Sequence, residues 1–225
     1  MLIAEANGTP GCGKSFLMSE LAAVLASARP VVTFEKIFEQ RKKFLNSPFL
    51  QFILYLLDLR YAVIHIRLIL FLFKYPMNIG RLRNFCKLIV LFHRLLKESP
   101  EKEKCVILDE GLIQLLTSIS HDCPILINRN TEKIVIRFQQ YFKYYIFVNC
   151  SLDESENIHR IRQRNNMQNR FDRCDDVALP ELLKIKKDNI CRIRELLDAK
   201  KTVNLDMAEP SIQNLNKILQ VIDRK

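Results

Sequence analysis

The residues with the most chemistry stand near the start of the chain. Gly8-Thr9-Pro10-Gly11-Cys12-Gly13-Lys14-Ser15, running on into Phe16, has the spacing G-x-x-x-x-G-K-S. Such glycines let successive backbone N–H groups turn toward the oxygens of a phosphate chain. A helix starting at Lys14 adds the positive end of its dipole, Lys14 reaches the outer phosphates, and the Ser15 hydroxyl is placed to ligate Mg²⁺. Cys105-Val106-Ile107-Leu108-Asp109-Glu110-Gly111 is the natural companion. An acid closing a buried strand beside a phosphate loop can hold Mg²⁺, directly or through water. Asp109 is the first candidate, with Glu110 left to orient water or cap the next helix. A third group is basic: Arg160 and Arg164 share one helix face, and Arg170 and Arg173 follow the polar stretch 165–169. An arginine-bearing lid over 154–176 would place positive charge on a migrating phosphoryl group while excluding water. The alternative is a solvated face paired with Asp153, Glu154 and Glu156. The chemistry in view is phosphoryl transfer assisted by Mg²⁺.

Positioning these groups takes alternating strands and helices. Five short apolar runs read as strands: Leu2–Ala6, Pro30–Phe34, Cys105–Leu108, Tyr145–Asn149 and Thr202–Leu205. Their hydrophobicity is continuous rather than alternating, which predicts strands covered on both faces, as in a parallel sheet. Helical patterns lie between them at Lys14–Ala28, Leu112–Ser120, Thr131–Tyr141, Glu154–Arg164, Pro180–Lys200 and Ser211–Asp223. The expected fold is α/β and doubly wound, a single domain over 1–225. Residues 37–99 interrupt the rhythm as a helical insertion, with breaks near Asn46–Pro48 and Pro76–Gly80.

Composition sharpens this picture. With 225 residues, 48% hydrophobic, the chain can bury a sizeable core, which excludes a disordered tail protein. It has five glycines where average usage gives about 16. Three of them build the phosphate loop. The net charge is +10, and all of the excess lies in residues 36–97, which hold 12 Lys/Arg against Glu39 and Asp58. Seven cysteines form no C-x-x-C pair and are odd in number, which speaks for free thiols in a reducing cytoplasm. Leu2–Ala6 is too short for the apolar core of a signal peptide.

Together these residues resemble the P-loop kinases of small molecules, in the group of nucleoside monophosphate, thymidylate and deoxynucleoside kinases. The match rests on the phosphate loop, a second strand ending in Thr33-Phe34-Glu35, the Leu-Asp-Glu strand, the arginine helix and a last strand–helix pair. The resemblance implies a five-stranded parallel sheet of order 2-3-1-4-5, ATP and Mg²⁺ as donor, and an acceptor held under the insertion. It implies for Glu35 the place of an acceptor-binding or base carboxylate; the alternative is a surface acid at a strand end. It puts Asp206-Met207-Ala208 against the adenine and allows a homodimer. The chain departs from the group in one respect. Those kinases carry Asp-Arg or Glu-Arg after the third strand, and here Asp109-Glu110-Gly111 supplies no arginine.

The expected activity is transfer of the γ-phosphoryl group of ATP to a small anionic acceptor: a nucleotide, nucleoside, sugar or sugar phosphate. The competing classes are a nucleotide-binding ATPase or switch protein and a membrane-surface kinase acting on a lipid-linked acceptor. No N-K-x-D motif for a guanine base is present. For the insertion three readings stay open: a pocket for an anionic acceptor, an amphipathic surface on anionic lipid at the inner membrane face, or a nucleic-acid track. Its longest uncharged stretch, Phe44–Leu57, is short of the ~18–20 residues that span a bilayer. Arg60, Arg67, Lys74 and Arg81 recur every seventh residue, so the first three are expected on one helix face. His65 and His93 read as packed or surface residues.

Overall fold

The structure is a computed structural model. It describes residues 1–39, 55–56, 58–76, 78–98, 104–120, 123–125, 129–142, 144–164, 170–197 and 202–223. Its elements in chain order are β1 (Leu2–Gly8), α1 (Lys14–Ala26), β2 (Val31–Thr33), α2 (Phe34–Glu39), a 3₁₀ turn (Leu59–Tyr61), α3 (Ala62–Leu72), α4 (Ile79–Glu98), β3 (Cys105–Leu108) and α5 (Leu112–Ser120). Then come α6 (Arg129–Tyr141), β4 (Tyr144–Ser151), α7 (Glu154–Gln163), α8 (Arg170–Arg173), α9 (Ala178–Arg194), β5 (Thr202–Asp206) and α10 (Ser211–Asp223).

The strands form one parallel sheet in the order β2-β3-β1-β4-β5, as the sequence reading expected. β1 occupies the centre and is buried at every residue. On one face α1 and α10 pack Leu17, Leu21, Leu215 and Ile218 against Ala4, Ile146 and Val148. On the other, Ile3, Val106, Leu108 and Phe147 meet α4, α5, α6 and α9. The helices of the insertion share this second core through Leu68, Phe71, Leu88 and Phe92. No described helix is long and apolar enough to cross a membrane.

The structure corrects several expectations. β2 stops at Thr33, because its hydroxyl accepts from Lys36 N at 3.5 Å and starts α2. Glu35 therefore lies in the first turn of a helix rather than at a strand end. The seven-residue spacing of basic residues does not make one helix face. Asp58 caps the 3₁₀ turn by accepting from Arg60 N at 3.2 Å, Arg67 lies in α3, and Lys74 follows that helix. Arg81 is buried, donating to the carbonyls of Pro76, Ile119 and Ser120. The expected break at Asn46–Pro48 lies outside the described residues. All seven cysteines are free thiols.

His65 and His93 are buried between α3 and α4 with their Nε2 atoms 2.8 Å apart, so one donates and the other accepts. The Tyr55 ring stacks on His93, centroids 4.6 Å apart. Burial lowers both imidazoles, His93 to about 4. Unfolded histidines take up protons near pH 6.5 while the folded pair does not, so stability is lost as pH falls from 6.5 toward 4. Melting curves should show roughly 2 kcal/mol of this loss between pH 6.5 and 4.5, and His93→Phe should flatten that part of the profile. An unchanged slope in the variant would assign the acid loss to other groups.

Candidate active site

The phosphate loop joins the central strand to α1. Gly11 and Gly13 hold left-handed backbone (φ 92° and 91°), which turns the intervening N–H groups inward. Lys14 Nζ lies along the loop, donating to Gly8 O at 3.0 Å and Thr9 O at 2.8 Å. Cys12 is fully buried, Thr9 and Pro10 are half-buried, and the Phe16 ring is exposed. Cys12 closes the loop with its N–H to Thr9 O at 3.4 Å.

Ser15 Oγ donates to Asp109 Oδ2 at 2.9 Å, which ties the first turn of α1 to the end of β3. A hydroxyl and a carboxylate converging beside a helix N-terminus are the oxygen donors that Mg²⁺ favours. These residues and the glycine cradle fit a magnesium–nucleotide complex. Glu35 shares a cleft of about 70 Å³ with Ser15, Thr33 and Asp109. Beside it, Lys87 of α4 pairs with Glu110 at 3.0 Å. Lys87 thus brings one cation of the insertion to the end of β3.

On the other side of the loop, α7 packs against the glycines. A Cβ on Gly11 would meet Ile161 at 2.9 Å, and one on Gly13 would lie 3.9 Å from Arg160 Nη1. Arg160 also bonds Glu156 through Nε at 2.7 Å. Its guanidinium stands beside the loop. Arg164 ends α7 with an exposed side chain and no described contact to the loop. Asp153 caps α7, accepting from Ser155 N at 2.9 Å, so part of the acidic run is structural. The polar stretch expected inside the lid, 165–169, lies outside the described residues. Met207, after β5, would approach a Gly13 Cβ with its Cε at 3.3 Å.

Two site residues escaped the sequence reading. Asn157 of α7 donates through Nδ2 to Thr9 Oγ1 at 2.8 Å, binding the arginine helix to the loop. Glu5 lies fully buried in β1, its carboxylate accepting from Ile113 N at 3.2 Å and Gln114 N at 2.7 Å. It caps α5 from within the sheet and fixes the chain that carries Asp109 and Glu110. The available signal was one acid inside an otherwise apolar, doubly covered strand, which must find partners.

Burial pushes the Glu5 carboxyl up to about 8. An acid with a raised folded pKa contributes stability that is full below its unfolded value, about 4.5, and lost as pH rises through 8. Between pH 6 and 8 the native protein should lose about 2–3 kcal/mol that Glu5→Gln does not. The variant should start lower by about 1–3 kcal/mol, because its amide cannot accept from both N–H groups. Parallel pH profiles in urea unfolding would contradict this.

No protein-family model matches the chain, and no curated protein matches it by sequence. Solved structures do match. The YorR protein of Bacillus subtilis, in complex with phosphorylated GDP, has a TM-score of 0.52 at 16% identity, over 98% of this chain and 95% of that one. Deoxyadenosine kinase from M. mycoides, with dCMP and dCDP bound, has a TM-score of 0.52 at 15% identity over 100% of both chains. With dATP bound it has a TM-score of 0.52 at 14% identity, over 99% and 100%. With the sheet order and the loop geometry above, these likenesses show that the chain has the fold of the P-loop nucleoside kinases.

Proposed function

We propose that the protein is an ATP-dependent phosphotransferase whose acceptor is a nucleoside or a small anionic molecule such as a nucleotide or a sugar phosphate. The observation that carries this reading is the Ser15–Asp109 hydrogen bond at the mouth of the glycine loop, with Glu35 in the same cleft. Bound ATP with Mg²⁺ supplies the transferable phosphoryl group and the cation that withdraws its charge. Ser15 and Asp109 hold the metal. Lys14 exchanges its two carbonyl partners for phosphate oxygens, and Arg160 brings its guanidinium onto the same charge from α7. The Glu35 carboxylate, exposed toward the cleft, takes the proton of the acceptor hydroxyl. An anionic acceptor finds its cation in Lys87, held on the acceptor side by Glu110. Nucleosides and nucleotides come first because matching folds are those of a deoxyadenosine kinase and a protein holding phosphorylated GDP.

The test is labelled ATP incubated with the protein and deoxynucleosides, nucleotides or sugar phosphates in turn. Label should pass to one acceptor class. Phosphate released equally with and without acceptors would replace the kinase by an ATPase. Glu35→Gln should lower kcat by about 10²–10⁴ while leaving ATP affinity unchanged. An undiminished kcat would return Glu35 to the role of a surface acid.

A further inference from the structure

Behind the phosphate loop, on the sheet face that α9 covers, lies an open groove of about 720 Å³. That volume is within the ~300–1,000 Å³ of small-molecule sites. Of the loop only Gly8 and Thr9 line it. Gly11 to Ser15, which turn toward phosphate, do not. The groove is thus separate from the cradle but shares its first two residues.

The walls carry a chemical pattern. Asn149 of β4 and Asn204 of β5 are register partners, and Asn149 Nδ2 donates to Asn204 Oδ1 at 3.0 Å. This leaves Asn149 Oδ1 to accept and Asn204 Nδ2 to donate, side by side. Asn157, 3% exposed, also lines the groove, with its Oδ1 buried toward Gly11 and without a donor among the described residues. Facing these amides, α9 supplies an apolar strip of Leu183, Ile190 and Cys191. At the mouth stand Lys184, Lys187 and Arg194 against Glu154 and Asp188, an excess of one positive charge.

We propose that this groove is a second ligand site, for a flat organic monoanion that carries at least one N–H or O–H donor. Its ring body lies on the Leu183–Cys191 strip, its polar edge meets Asn204, its donor reaches Asn149 Oδ1, and its acid group faces the lysines. The site is coupled to the phosphate loop. The Asn157 side chain that lines the groove holds Thr9 Oγ1 through Nδ2, and its Oδ1 and backbone carbonyl would lie 3.4 Å and 3.2 Å from a Cβ on Gly11. A ligand that fixes Asn157 changes the freedom of the loop, and the effect is reciprocal. This second part rests on the nucleotide-binding role proposed above.

The probe is 1-anilinonaphthalene-8-sulfonate, an aromatic monoanion with one N–H donor. Its fluorescence should report binding to the full chain, and saturating dye should slow alkylation of Cys191 by iodoacetamide at least tenfold while leaving Cys86 of α4 unchanged. Lys184→Glu/Lys187→Glu should weaken the dye about tenfold, and Cys191→Trp should block it by filling the strip. The dye could also settle on the exposed apolar face of α3. Ile66→Glu/Leu70→Glu, placed there, should leave the protection of Cys191 intact. Dye that binds without protecting Cys191, or is lost in the α3 variant and kept in the lysine variant, overturns the site. The dye's Kd should shift at least threefold with saturating Mg·ATP. Equal constants while ATP binds overturn the coupling, whereas failure of ATP to bind at all counts against the kinase reading and leaves Cys191 protection to decide the site.

Discussion

Gly111→Ala is expected to be among the most damaging single-methyl additions this protein can receive. A Cβ there would stand 2.3 Å from Glu5 Cδ and 2.4 Å from Oε2, inside any tolerable contact. Neither partner has room to retreat. Glu5 is fully buried on the central strand, whose register with Leu108 and Phe147 is set on both sides. Its two carboxylate oxygens are engaged by the first N–H groups of α5. Accommodating the methyl means pushing α5 away and leaving those N–H groups and a buried carboxyl without partners. Overpacking costs about 1–3 kcal/mol, and a buried polar group without its partner about 1–3 kcal/mol more. The variant should lose about 2–6 kcal/mol, roughly 4–24 °C in Tm for a chain of this length. Turnover should fall with it, since Asp109 lies two residues upstream. The double variant Glu5→Ala/Gly111→Ala removes the collision, so the two changes should cost less together than their sum. A wild-type Tm for Gly111→Ala, or strict additivity, would show that the carboxylate does not stand where the structure has it.

The same pair shows what the sequence could and could not reveal. The glycine loop was legible because its geometry is carried by backbone: glycine spacing, a strand before it and a helix after it are local facts. Strand positions followed from continuous apolar runs, and the sheet order followed from the family resemblance. Glu5 was not legible, because the N–H groups that accept its burial lie 108 and 109 residues further on. Gly111 stood out only as a rare glycine, and its cause is a side chain from another strand. Arg81, which the spacing left off the expected face, is internal for a related reason. Charge periodicity marks a solvated face only when no carbonyl waits inside, and here Ile119 O and Ser120 O do. Among the described residues the insertion's cations do not form one surface: Arg81 is internal, Arg67 bonds Asn130 of α6 at 3.2 Å, and Lys87 is paired with Glu110. Glu35 was placed one element early because a three-residue strand capped by its own threonine has no sequence signal distinct from a longer one.

Lys14→Ala is the second decisive substitution, and its expected result is loss of phosphoryl transfer in a folded protein. Lys14 Nζ makes two hydrogen bonds to loop carbonyls, Gly8 O and Thr9 O, at a part-buried position. Removing them returns those carbonyls to water, so the folding cost stays within about 1 kcal/mol. The electrostatic cost is of another order. Charge that develops on a migrating phosphoryl group must be met by a pre-placed cation, and deleting one such donor lowers kcat by about 10²–10³. Arg160, tied to Glu156 at 2.7 Å, cannot replace it from the far side of the loop. Lys14→Arg should rescue poorly, because a planar guanidinium does not fit where a compact ammonium lies against two carbonyls. Turnover of Mg·ATP with the acceptor found in the screen, measured beside Tm, separates the two costs. A near-native Tm with turnover down at least ~100-fold places Lys14 on the reacting phosphates. Unchanged turnover would remove the glycine loop from the active site altogether, and a collapse of Tm would mean that the lysine serves mainly to brace the loop.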